Sequence, residues 1–164
     1  MTINSKQKGS RLERQVAKLL SEWSGYDFHR TPMSGALHWT NDKRVLSDIV
    51  PPQALENYPF SMECKNVEYD YDFTYLMSGT SMFYKHWKQA TDDAQRECLR
   101  PMLIFTKNRR DIYTAFRIED FKKFDTEFST TVCVEYKGEK IVILLFKELL
   151  EKVNLEKFLS AFSK

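Results

Sequence analysis

Hydrophobic periodicity along this chain switches from helical to alternating and back twice, and that order restricts the possible architectures more than any other feature. In residues 10–23 the apolar side chains Leu12, Val16, Leu19, Leu20 and Trp23 recur at the helical period, with Gly25 placed to end the helix. Residues 26–32 and 46–50 read as short strands separated by a loop over 33–44. A third strand over 60–65 puts Phe60, Met62 and Cys64 on one face and Ser61, Glu63 and Lys65 on the other. A helix over 82–99, an apolar strand over 101–106, a strand over 111–118, a hairpin over 131–146 turning at Lys137-Gly138 and a closing helix over 147–162 complete the series. Helix, strands, helix, strands, helix is an α/β pattern. A length of 164 residues suits one such core, so a single domain over 1–164 is expected.

A core of that size needs no covalent staple. Cys64, Cys98 and Cys133 are odd in number, widely spaced and without CxxC or Cys/His spacing, so neither a structural zinc site nor a disulfide framework is expected. The opening residues lack an apolar signal core, and no stretch approaches membrane-spanning length, so a soluble, cytoplasmic protein without a membrane partner is expected. Gly35 and Gly79 form no phosphate-cradling motif, which speaks against a nucleotide cofactor. The 25 Lys and Arg against 23 Asp and Glu leave a net charge of +2, which excludes little. The distribution is more informative. Lys6, Lys8, Arg11, Arg14 and Lys18 surround a lone acid, Glu13, and further basic points sit at Arg30, Lys43-Arg44 and residues 107–110. Each run alone is ordinary solvated surface; convergence on one site would make a nucleic-acid surface.

The chemistry centres on Asp48 and the run Glu63-Cys64-Lys65, separated by 14 residues. Alternation puts Glu63 and Lys65 on one face of their strand. If Asp48 ends a neighbouring antiparallel strand, three ionisable groups meet there. Two carboxylates in a dry cleft require a compensating cation. Oxygen ligands select a hard divalent ion, Mg²⁺ or Mn²⁺, to which the Cys64 carbonyl can add a ligand. A lysine beside such an ion can orient an attacking water or stabilise charge growing on a phosphate, a combination suited to phosphodiester hydrolysis. The Cys64 thiol, by alternation, faces the core. Glu13, at the edge of its helix's buried stripe, can point along the sheet surface.

Taken in order, Lys8-Gly9, Glu13-Arg14, Arg30, Ser34-Gly35, Asp48-Ile49 and Glu63-Cys64-Lys65 resemble the PD-(D/E)XK nuclease superfamily and, within it, the Holliday junction resolvases of the archaeal and phage type. The resemblance covers roughly residues 6–66; beyond about 67 it is loose, and the stretch between Ser34 and Asp48 is longer than in the compact archaeal members. It implies a restriction-endonuclease-like mixed central sheet flanked by helices. It also implies a metal site of Glu13, Asp48 and Glu63, with Lys65 in the catalytic role and Ser34 near the scissile phosphate. Gln89 takes from the same resemblance a place at the edge of the site, solvated helix surface being the other reading.

The expected activity is Mg²⁺-dependent DNA cleavage, most specifically at four-way junctions. Lys8, Arg11, Arg14, Arg30, Lys43 and Arg44 would hold the DNA backbone. Two symmetric cuts imply a two-fold homodimer, and a compact chain of this kind suits a phage. Two alternatives stay open: a phage or mobile-element endonuclease acting on duplex or flaps, and a DNA-binding protein on this fold without chemistry. The histidines His29, His38 and His86 show no metal spacing, and the aromatic run over 69–76 reads as a packed loop or dimer contact more than a base-stacking platform.

Overall fold

The computed structural model describes residues 5–31, 47–67, 71–107 and 110–163, without the side chains of residues 5–8. The first helix, α1 (Ser5–Ser24), begins five residues before the apolar period that identifies it. It stops at Gly25, whose φ of 74° only glycine adopts freely and whose N–H donates to the Ser21 carbonyl. Two short strands follow, β1 (His29–Arg30) and β2 (Ile49–Val50), both shorter than their sequence patterns. Next come β3 (Phe60–Val67), a short helix α2 (Phe73–Ser78), the long helix α3 (Met82–Glu97) and β4 (Arg100–Lys107). The chain finishes with β5 (Ile112–Arg117), α4 (Ile118–Lys122), the hairpin β6 (Thr131–Tyr136) and β7 (Glu139–Leu145), then α5 (Phe146–Lys152) and α6 (Leu155–Ser160).

The strands form one mixed sheet in the order β1-β2-β3-β4-β5-β7-β6. Only β3 and β4 run parallel, as the intervening crossover through α2 and α3 requires; every other neighbouring pair is antiparallel. Strand β4 is buried on both faces, so each face of the sheet must carry a layer. On one face Met62, Cys64, Met102, Ile104, Phe116 and Leu144 pack with Leu12, Val16 and Leu20 of α1, Leu149 of α5 and Phe158 of α6. On the other, Leu103, Phe105, Ala115, Ile141 and Ile143 pack with Phe83, Tyr84, Trp87 and Ala90 of α3. This is the expected α/β fold, a mixed sheet flanked by helices.

Three further elements depart from the sequence pattern. The closing helix over 147–162 is two helices. Val153 is extended (φ −120°, ψ 105°) and fully buried, and Asn154 caps α6 by accepting a hydrogen bond from the Lys157 N–H at 2.9 Å. The run over 69–76 contains the start of α2, capped by Gly79 with φ 71°. The helix over 82–99 ends at Glu97, where Cys98 turns left-handed and its N–H and that of Leu99 close on Gln95 and Ala94. The hairpin turns at Lys137-Gly138 as read, both residues at positive φ.

Candidate active site

Register brings the acidic residues together. Ile49 of β2 pairs with Met62 of β3, so Asp48, just before Ile49, comes beside Glu63, just after Met62. Both side chains are buried. The main-chain N–H of Cys64 donates to Asp48 Oδ2 at 2.8 Å. Lys65, two residues from Glu63 on the same strand face, places its Nζ 2.7 Å from Glu63 Oε1. The Gln89 amide on α3 donates to that oxygen at 2.8 Å. Glu13 enters from α1 and is also buried; the Arg30 Nε donates to its Oε2.

The electrostatics follow from the packing. Burial, then the charge of Glu63, pushes the Asp48 carboxyl up from its ordinary 3.8 to about 7, against the pull of the Cys64 N–H; Glu13 adds to the rise and Lys65 opposes it. Glu63 is likewise raised, by burial first, with the Lys65 charge and hydrogen bond opposing. The Cys64 thiol lies in the core beneath them and is pushed well above its usual value by burial and by the nearby carboxylates, which leaves it a packing group. On the α3 side, Tyr71 Oη hydrogen-bonds His86 Nδ1, and burial plus the charges of Lys65 and Lys85 lower His86 to about 4. That imidazole is neutral at physiological pH.

Among the described residues, no three His, Cys, Asp or Glu side chains are gathered closely enough to grip a metal ion between them. The donors nevertheless fit a hard divalent ion in kind and in charge. They are carboxylates, and two of them are buried together at a free-energy penalty that a cation would relieve. The contacts with Arg30, the Cys64 N–H, Lys65 and Gln89 each occupy a single oxygen of the carboxylate they touch.

The family model described as "Phage putative PDDEXK endonuclease" matches residues 4–160. The chain belongs to that phage PDDEXK endonuclease family. It is a nuclease by family, and Protein D14 of Escherichia phage T5 is similar to it, 30% identical over 95% of this chain and 98% of that protein. A solved structure, Hjc from Archaeoglobus fulgidus, a Holliday junction resolvase from an archaeal hyperthermophile, is similar over 96% of this chain and 99% of its own at 12% identity and a TM-score of 0.41.

Of the basic residues singled out in this family member's sequence, Arg30 is turned to Glu13, while Arg11 and Arg14 are exposed on α1, with the Arg14 Nε donating to the Ser10 carbonyl at 3.1 Å. The side chain of Lys8 and all of Ser34, Lys43 and Arg44 lie outside the described residues. An apolar cavity of about 230 Å³, lined by Tyr71, Phe83, Phe105 and Tyr113 with Lys107 and Arg110, opens on the α3 face and includes none of the carboxylates. Sequence reasoning missed a buried polar group beside Asp48, made of Thr31, Ser47, Ser61 and Glu97. Glu97 does leave a trace: it falls on the apolar stripe of α3 that runs through Phe83, Trp87, Ala90 and Ala94, where an acid needs a partner.

Proposed function

We propose that this nuclease hydrolyses DNA phosphodiesters with Mg²⁺, for which Mn²⁺ can substitute, at a site made of Glu13, Asp48, Glu63 and Lys65, with the Cys64 carbonyl as a further ligand. The observation that carries the reading is the pairing of buried Asp48 and Glu63 with the Lys65 ammonium drawn onto Glu63. Buried acids facing one another are costly in a protein that does not use them. Glu13, Asp48 and Glu63 would hold the ion. When bound, it supplies positive charge against the phosphate and lowers the pKa of water. Glu63 holds the Lys65 ammonium beside the carboxylates, where it can steer the water or meet the negative charge that grows on the phosphate. Gln89 fixes the Glu63 carboxylate from the α3 side. Exposed Arg11 and Arg14, with Lys8, Ser34, Lys43 and Arg44, would hold the DNA backbone.

The proposed substrate is branched DNA, the four-way junction in particular, supported by the ordered match from Lys8-Gly9 to Lys65 with the junction resolvases. Paired cuts call for a homodimer acting in the cytoplasm of a phage-infected cell. Exposed Phe73 and Met77, one turn apart on α2, offer apolar surface for a second copy. The test is cleavage of a labelled four-way junction beside a linear duplex and a flap. Paired symmetric nicks on the junction alone are expected. Equal cutting of all three would remove the junction preference and leave a general or flap endonuclease; tight binding without cutting would leave a DNA-binding protein.

A further inference from the structure

The chain around Asp48 is tied down more completely than a surface bend needs. Four main-chain groups of Ser47 and Asp48 are bonded, by three residues on different segments: Glu97, Thr31 and Met62. The Ser47 N–H donates to Glu97 Oε1 at 3.1 Å, and the Ser47 carbonyl accepts from the Thr31 hydroxyl at 2.5 Å. The Asp48 N–H donates to the Met62 carbonyl, and the Asp48 carbonyl accepts from the Thr31 N–H, both at 2.9 Å. The Ser47 hydroxyl adds a second bond to Glu97, 2.8 Å from Oε2, and lies 2.8 Å from the Ser61 hydroxyl. A serine hydroxyl has one proton, so if Ser47 donates to the carboxylate, Ser61 donates to Ser47. All four side chains of this set are buried.

We propose that Glu97 is a positioning residue that sets where the Asp48 carboxylate stands. Each of its oxygens accepts a bond from Ser47, and through that residue it acts on Asp48. The reach of α3 makes the device specific. Gln89 on this helix bonds Glu63, and Glu97, at its last turn, bonds the residue next to Asp48. One rigid rod therefore spaces the two acidic residues of the site, independently of the two-residue strand β2 that carries the chain away from Asp48. This inference rests on the reading of Asp48 as part of the catalytic site.

Glu97→Gln is the probing change, because an amide accepts at one oxygen and offers N–H to the donor on the other side. Expected is a kcat about 10–100-fold lower with KM for DNA within about threefold, the scale of lost outer-shell support. Mn²⁺ affinity, measured by calorimetry without DNA, should fall by about tenfold or more. A merely structural Glu97 would lower the melting temperature and leave kcat and Mn²⁺ affinity of the folded protein at wild-type values, which overturns the proposal. Should Glu97→Gln not fold, Ser47→Ala decides the matter: it deletes the hydroxyl and keeps the N–H, so a several-fold loss of kcat is expected and an unchanged kcat overturns the proposal. Asp48→Asn serves as the reference. If it retains full activity, the site itself is misassigned. If it is inactive while Glu97→Gln is fully active, only the positioning role fails.

Discussion

Asp48 and Glu63 are buried beside one another, and burial followed by the Glu63 charge moves the Asp48 carboxyl to about 7. The folded value lies above the unfolded 3.8, so the native state keeps this proton over a range in which the unfolded chain has released it. The contribution to stability is full below the unfolded value and is lost as pH rises through the folded one. Asp48→Asn removes the charge at nearly constant shape. In EDTA at pH 8 the variant should therefore exceed wild type in unfolding free energy by roughly 1–3 kcal/mol, and the two should converge near pH 4. Thermal melts at both pH values measure this, and coincident curves at pH 8 would show that the two acids do not strain the fold. Mn²⁺ should raise the wild-type melting temperature at pH 8 far more than that of the variant.

At the scale of elements, strong periodicity carried the reading, and it failed where tertiary contacts decide. Leu12, Val16 and Leu20 reveal α1 because they share one buried stripe, and the alternation from Phe60 to Lys65 reveals β3 because the sheet has two differently packed faces. The break at Val153 was not read, although Leu149 and Phe158 would fall on opposite sides of a single continuous helix. What splits it is the burial of an extended Val153 and the cap from Asn154, and the Trp23 indole N–H donates to the Val153 carbonyl at 2.9 Å. Helix α6 is six residues long, too short to persist alone. Phe158 holds it in place, stacking on Tyr58 and Phe124 and meeting Trp23 edge-on. Phe158→Ala should lower unfolding free energy by about 3–5 kcal/mol in a urea titration. A loss below about 1 kcal/mol would mean that α6 is not part of the cooperative core. The shared face of Glu63 and Lys65 was readable from strand alternation, the approach of Asp48 from its place in a neighbouring strand run, and the position of Gln89 beside Glu63 from the family resemblance. Thr31, Ser47 and Glu97 were not, because their roles depend on contacts between segments up to 50 residues apart.

Across the whole molecule, a sheet packed on both faces holds the β2–β3 edge while helices of opposite layers, α1 and α3, deliver Glu13 and Gln89 to it. The family shows a nuclease, and the central claim is that this carboxylate set, charged with a divalent ion, performs the cleavage. The most direct test is a single-turnover cleavage assay on labelled DNA, comparing wild type with Glu63→Gln in Mg²⁺ and in EDTA. The account predicts cutting by wild type in Mg²⁺ alone, and none by Glu63→Gln although it binds the DNA. Cutting in EDTA, or full activity of the folded Glu63→Gln protein, would contradict it.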